Sequence, residues 1–534
     1  TEPYPWDRLV KVCDELNNTP LADLEDSLDK YMDLDRVLWH LASENAWADD
    51  DSYIHKGEMD YGLYWETESG RMTTLEYDGN TVMGNMNLNW SPFYNANDVN
   101  YPLLNRLMAV PELRQRYLAH LRTIISEQLA ATTTSSLING YKALIDTMVQ
   151  NDPKKLMTYS QFTSGVTQFI NNITTRRNNL NANVEVLQVA PSISNTEHEV
   201  AAGINAEPAV GEAVDVRTTI SGAIGGVALF YSATLWGQFV RLPMADDGAH
   251  NDGAAGDGVY GATIPGSGAA TWVRYYIEAR ANNTAQSVKY DPVGAEHDVY
   301  VYNVAIPLAA ATGVVVNEVM ASNSVTATDE QGQFEDWIEL YNNNSSQANV
   351  GLWFVSDTPF EPYKWRLPIG TTVPANGYLI IWCDEDGSDG DEHTNFKLSA
   401  DGESVILLTA DSLLVDQVDF GPQISDLGYA RVPNGAGPFQ IQTATFAANN
   451  DLVSTIAESI NGSELLVFPN PAHNTIALLG LEASGTEVRV SDAVGREMWS
   501  GILRDRMPVD VASWSAGPYL VRAGTVVEKF MIVR

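Results

Sequence analysis

Apolar residues change their spacing partway along the chain, and this change limits the fold more than any other feature. In "YPLLNRLMAVPELRQRYLAHLRTIISEQL" (101–129), Leu104, Leu107, Met108, Leu113, Tyr117, Leu118, Leu121 and Ile125 recur every three or four residues, the stripe of a helix packed by one face. Pro111 suits a first helical position, where no amide partner is lost, and Glu112 suits the first turn. Two more helices are expected in "INGYKALIDTMVQ" and "SQFTSGVTQFINNITTRRNNL". "GLYWETESGRMTTLEY" reads instead as a hairpin about Glu-Ser-Gly. From about 198 the period becomes two, in short runs such as "VALFYSAT", "FVRLPM" and "TWVRYYIEARA", the spacing of β-sandwiches.

The expected fold is therefore multidomain: an α+β region over 1–185, followed by three β-sandwich domains at 198–305, 313–449 and 464–534. At 534 residues the chain is too long for one core. The polar "NNDLVSTIAESINGSE" reads as a linker before the last domain. Thr1 is no start methionine, which points to a removed leader or to a piece of a longer chain.

Charge narrows the partners. With 69 acidic against 31 basic residues, the net charge of -38 argues against nucleic acid and anionic membranes, both of which need clustered Lys and Arg. No run of eighteen apolar residues offers a membrane span. Cys13 and Cys383 are too few and too far apart for a disulfide framework.

Two loops carry hard oxygen ligands. "MADDGAHNDGAAGDGVYGATIP" (244–265) sets Asp246, Asp247, Asp252 and Asp257 among glycines, a candidate calcium site without the EF-hand spacing. Asp-Gly pairs are equally ordinary turn chemistry. "DEDGSDGDE" (384–392) poses the same alternative, calcium or a solvated acidic loop. The histidines, among them His40, His55, His120, His250, His297, His393 and His473, show no metal spacing such as HExxH. No nucleophile elbow and no Walker A run is present.

Three family resemblances rest on quoted motifs. "LLVFPNPAHNTIALLG", "VRVSDAVGREMWSG", "VDVASWSAGPYLVRA" and the terminal "EKFMIVR" resemble the type IX secretion C-terminal sorting domain, through Phe468-Pro469-Asn470-Pro471, Asp492 with Gly495-Arg496, and Gly517 with Tyr519. The resemblance implies recognition by the export machinery of a Bacteroidota-type bacterium, and a protein secreted or attached to the outer cell surface. "VVVNEVMASN" (Asn317, Glu318, Asn323), "DWIELYN" (Asp336, Trp337, Glu339, Tyr341, Asn342), "GLWFVSD" and "KWRLPIGTTVPANGYLIIW" resemble the lamin-tail domain. This implies an immunoglobulin-like binding fold. Trp337, Ile338, Leu340, Trp353 and Trp382 are expected to fill its core, with a surface protein or polysaccharide as candidate ligand.

"DLDRVLWHLASENAWADDDSYIHKGEMDYGLYWETESGRMTTLEYDGN" with the helices behind it resembles the CotH family of secreted, kinase-like proteins. The resemblance implies ATP and Mg²⁺ as cofactors, Asp51 as the catalytic-loop acid with Asp50 as its competitor, and Asp78 as a metal ligand assisted by Asn80. Lys56 would neutralise a phosphate. Such chemistry needs an acid to orient the attacking hydroxyl and oxygen ligands to hold Mg²⁺. "EYDGN" puts Asn80 where a second acid is common in the family. About fifty residues precede Asp51, too few for an ATP-covering amino-terminal lobe, and Lys11 and Lys30 are poor substitutes for its lysine. The expected function is thus a secreted, modular surface protein with a CotH kinase-like carboxy-terminal lobe. The alternative is an active phosphotransferase whose other lobe lies upstream.

Overall fold

The computed structural model describes residues 6–56 and 61–451, and, of the last domain, 465–468, 472, 475–480, 487–492, 496–502, 507–523 and 526–533. Residues 1–450 form one compact unit and 451–534 a second.

The first unit begins with helices α1 (Asp7–Asn18), α2 (Leu24–Leu28) and α3 (Leu34–Trp47), then a hairpin of β1 (Tyr61–Glu66) and β2 (Arg71–Glu76). Helices α4 (Pro102–Met108), α5 (Pro111–Glu127), α6 (Ala131–Asn151) and α7 (Tyr159–Asn181) follow. Pro102 and Pro111 open α4 and α5, where a missing amide costs nothing. The predicted stripe of α5, from Leu113 to Ile125, is buried with Val37, Leu38 and Leu41 of α3. A capping box, Thr158 with Gln161, starts α7. On α6, Leu137, Tyr141, Leu144 and Met148 stand exposed.

β-Structure starts at Ser192, earlier than the expected start near 198, in the polar run "SISNTEHEV". Its alternation is too weak to read because part of it lies exposed on the sheet's outer face. One sheet orders β3 (Ser192–Val200), β4 (Gly203–Ile204), β5 (Val214–Ser221) and β8 (Val259–Ile264) as β4-β3-β5-β8. The facing sheet runs β10 (Val288–Asp291), β9 (Trp272–Ala281), β6 (Ile224–Ser232) and β7 (Val240–Pro243), with β11 (Tyr300–Asn303) also on β9. Val216, Leu229, Val273, Tyr275 and Ile277 fill the space between them. On β9 the alternate residues Tyr276 and Glu278 are buried as well. Tyr276 packs with Tyr290 and with Ala119 of α5, so the helical region covers this sheet's other face.

The third region is a sandwich of a five-stranded and a four-stranded sheet. The first orders Tyr378–Cys383, Asp336–Asn342, Val314–Met320, Leu427–Arg431 and Phe439–Thr443. The second orders Trp365–Arg366, Phe354–Ser356, Glu403–Leu408 and Leu414–Phe420. Ile338, Leu340 and Trp353 lie in the core between them, as expected. Trp337 and Trp382 do not. They pair across adjacent strands with Met320 and Phe446 on the sheet's outer face, under the chain at 444–446. A period of two forbids Trp337 and Ile338 from facing the same side.

The second unit holds a three-stranded sheet (Leu465–Phe468, Thr475–Gly480, Met507–Asp510) and a four-stranded one (Glu497–Ile502, Glu487–Asp492, Gly517–Ala523, Val526–Ile532). Ile476, Val490, Val521 and Phe530 are buried together. Of the sorting-domain motif, Asp492 accepts from the Arg496 backbone amide at 2.9 Å and its Nε at 3.0 Å, and the Tyr519 hydroxyl donates to the Ser515 carbonyl at 2.8 Å. Pro469, Asn470, Pro471 and Gly495 lie outside the described residues. Among the described residues no helix is long and apolar enough to cross a membrane.

Candidate functional site

The acidic run sits where α3 ends. Ala48 takes a left-handed conformation (φ 51°) and turns the chain out of the helix into Asp49-Asp50-Asp51. That helix end is held by Arg176 of α7, which is fully buried. Its guanidinium donates to the carbonyls of Asn45 (2.6 Å), Ala46 (3.3 Å), Leu88 (3.1 Å) and Trp90 (2.6 Å), and to the Asn45 side chain (2.7 Å). These are carbonyls of the last turn of the helix, where intrahelical donors run out, together with those of the loop beside it. Burial pushes Arg176 down to about 10.

Each of the three acids has its own partner. Asp49 is buried and accepts from the Thr81 hydroxyl (2.6 Å) and the Asp51 amide (3.2 Å). Burial raises its carboxyl, with the Thr81 hydrogen bond working against the rise. Asp50 accepts from Asn87 Nδ2 at 2.8 Å, and this bond chiefly holds its carboxyl below the usual range. Lys56 pairs with Asp51 and lies 3.4 Å from the other oxygen of Asp50. The residue expected to neutralise a phosphate therefore bridges the two candidate catalytic acids.

Asp78 and Asn80 stand exposed in the turn after β2, Asp78 with a left-handed backbone (φ 51°). Asp78 is near enough to help raise Asp49. His40 ties this turn to α3: its ring lies 3.0 Å from Glu76 at the end of β2 and 3.1 Å from Glu44 one helical turn on. Burial alone would lower His40, but the two carboxylates outweigh it and raise the ring to about 9. Glu44 also accepts from the Tyr53 amide at 3.1 Å. His40, Glu44, Asp49, Thr81 and Asn87 escape a sequence reading. Only the four-residue spacing of His40 and Glu44 signals a pair on one helix face.

In the 244–265 loop most carboxylate oxygens accept from the loop's own backbone, while Asp252 Oδ1 is buried with no hydrogen-bond partner among the described residues. Asp246 accepts from the amides of Gly256 (2.6 Å), Asp257 (3.2 Å) and Gly258 (2.9 Å). Asp257 accepts from those of Ala254 and Val259, Asp247 from Ala249, and Asp252 from Asp247. This is turn chemistry. Among the described residues, three or more His, Cys or carboxylate ligands gather at a single place, and it is neither this loop nor the 49–51 turn.

A second ionic cluster joins the helices to the β9 sheet. Asp35 accepts from His120 Nε2 (2.8 Å) and from the Glu296 amide (2.9 Å), while Glu296 meets Arg116 (3.3 Å) and the Tyr276 hydroxyl (2.6 Å). Burial raises Glu296 to about 7 against the pull of Arg116. Beside it lies a cleft of about 560 Å³ lined by Lys30, Arg116, Arg241, Glu25 and Glu278 among others.

Three stretches match known families: 1–180 the CotH kinase protein family, 307–422 the Lamin Tail Domain, and 230–283 the conditioned medium factor second Ig-like domain. No curated protein matches the chain. Among solved structures it is similar to a cycloalternan-forming enzyme from Listeria monocytogenes (10% identity, TM-score 0.15, 42% of this chain and 19% of that one). It is also similar to alpha-2-macroglobulin from Escherichia coli (12% identity, TM-score 0.17, 63% of this chain and 23% of that one). The chain thus spans about a fifth of the length of either, and likenesses at these TM-scores carry no argument.

Proposed function

We propose that this chain, a CotH kinase-like region followed by immunoglobulin-like and lamin-tail domains, is a secreted surface protein whose β-domains bind a partner, a surface protein or a polysaccharide. In this reading the type IX system exports it through residues 464–534, and the kinase-like region serves as scaffold. The supporting observation is the internal use of the acids: Asp49 is held by Thr81, Asp50 by Asn87 and Asp51 by Lys56, while Asp78 stands in an exposed turn.

The second reading, an ATP- and Mg²⁺-dependent phosphotransferase, keeps one point in its favour. Mg²⁺ takes one or two carboxylates and completes its shell with water and phosphates; Asp78 with Asn80 would supply its protein ligands, and Asp51 or Asp50 would orient the attacking hydroxyl if Lys56 swings away. Calorimetry with Mg-ATP, run on the full-length protein together with any lobe that lies upstream, decides between them. The scaffold reading expects no saturable heat. ATP binding that is lost in Asp78→Ala and in Asp50→Ala would replace it with the phosphotransferase. Removing residues 464–534 should leave the protein inside the producing cell, and secretion of the shortened chain would overturn the export route.

A further inference from the structure

Two loops at one edge of the lamin-tail sandwich bring together Asp329, Asp384, Asp389 and His393. One ligand atom from each lies within 4.8 Å of the others. The loops are tied to each other and to the sheet. Gln331 Nε2 donates to the Asp389 carbonyl at 2.8 Å and Gln333 Nε2 to its carboxylate at 3.3 Å. The amide of Trp382 donates to Glu392 O at 2.8 Å, and the amide of Thr394 to Trp382 O at 2.9 Å, fixing His393 along the strand.

The charges here are not balanced by protein groups. Asp329 is 7% exposed, Asp384 7% and His393 2%. Asp329 Oδ1 accepts from the amides of Gln331 (2.9 Å) and Gln333 (2.7 Å). Its Oδ2 is buried, and among the described residues no hydrogen-bond partner reaches it. His393 Nδ1 meets the Asp384 carboxylate and Nε2 lies 3.4 Å from Glu330 Oε2. An ionised carboxylate cannot donate, so a neutral ring leaves one of these two contacts without a proton, a gap that either a second ring proton or a cation in its place fills. A buried, unpaired carboxylate oxygen is costly, and a cation among the four groups removes that cost.

We propose that this cluster is a divalent-cation site of the first-row transition-metal class, Zn²⁺ or Mn²⁺, liganded by Asp329 Oδ2, Asp384, Asp389 and one ring nitrogen of His393. The imidazole selects this class over Ca²⁺, which takes oxygen ligands. Whichever ring nitrogen binds, the other has a carboxylate to orient it, Glu330 on Nε2 or Asp384 on Nδ1. The ion would cross-link the two loops and so stabilise the domain's edge.

The test uses the full chain, stripped with EDTA and titrated by calorimetry with ZnCl₂, MnCl₂ and CaCl₂. Saturable Zn²⁺ or Mn²⁺ binding with a raised melting temperature is expected. Asp389→Asn, on a partly exposed residue that leaves folding intact, should weaken that binding at least about tenfold. Asp386→Asn, in the same loop but outside the cluster, should leave it unchanged. Absence of saturable binding, binding of Ca²⁺ alone, or affinity undiminished in both Asp389→Asn and Asp329→Asn would overturn the proposal.

Discussion

Glu339→Gln should flatten the pH dependence of stability in the lamin-tail region. Glu339 faces Glu318 across the strand pair, and both carboxyls are fully buried under the chain at 444–450. Glu339 accepts from Asn317 Nδ2 (2.8 Å) and the Ala447 amide (2.7 Å), Glu318 from the Thr445 amide (3.1 Å) and hydroxyl (2.9 Å). Burial nevertheless dominates and pushes Glu339 up from 4.5 to about 8, with Glu318 raised for the same reason. The native state keeps a proton that the unfolded chain has released, so stability is fully present below about pH 4.5 and is lost as pH rises to about 8. At about 1.36 kcal/mol per pH unit, the ceiling on that loss is about 5 kcal/mol. Because Glu318 shares the burden, about half of it, roughly 2.5 kcal/mol, is expected to be measured.

The amide cannot titrate, but its Nε2 faces a donor in place of one accepted bond, at a cost of about 1 kcal/mol. The variant should therefore be less stable than wild type by about 1 kcal/mol at pH 5 and more stable by about 1.5 kcal/mol at pH 9. The curves cross near neutrality. Scanning calorimetry of the full chain from pH 5 to 9 reads this as a wild-type fall of about 5–10 °C in the transition that includes Glu339, flattened in the variant. Parallel curves would refute the reasoning, since they would mean that Glu339 carries its charge when folded.

Arg176→Met should destabilise the helical region by about 4 kcal/mol, because four buried carbonyls lose a charged donor at once. Faster amide hydrogen exchange around residues 45–49 and 88–90 checks it, and unchanged protection there would sink it. His40 is raised to about 9, so its contribution is present below pH 6.5 and lost as pH rises through 9. His40→Asn should remove that slope from the helical region's stability, measured by denaturant titration at pH 6 and pH 9.5. Trp337→Ala should cost about 3–5 kcal/mol by emptying the outer-face cluster with Trp382 and Phe446, read from the chain's thermal midpoint. A loss under 1 kcal/mol would mean that the 444–446 segment does not cover it.

Much of the architecture could be read from periodicity. The stripe on α5, the Pro111 that opens it and the β1–β2 hairpin depend on neighbours in the chain, and they form where expected. Residues that depend on distant partners could not be read. Burial of both faces of β9 requires the helical region against it. Asp35 finds His120 and Glu296 only once α5 and the Ig-like region have packed. A scan for His spacing passes over His393, because one of its co-ligands, Asp329, lies on another loop.

By itself the amino-acid sequence determined the strongly periodic helices and strands, the change from helical to β spacing along the chain, and its net negative charge. Those properties follow from local spacing and composition, which every residue carries with it before the chain folds. Tertiary structure alone decided which acids stay solvated, which cap turns and which are buried without a partner. The same residue type, aspartate, binds backbone amides at 246, a side-chain amide at 50 and no donor at all through one oxygen of 329. Burial and the groups brought close by packing set a carboxylate's chemistry, and neither is a property of its position in the chain.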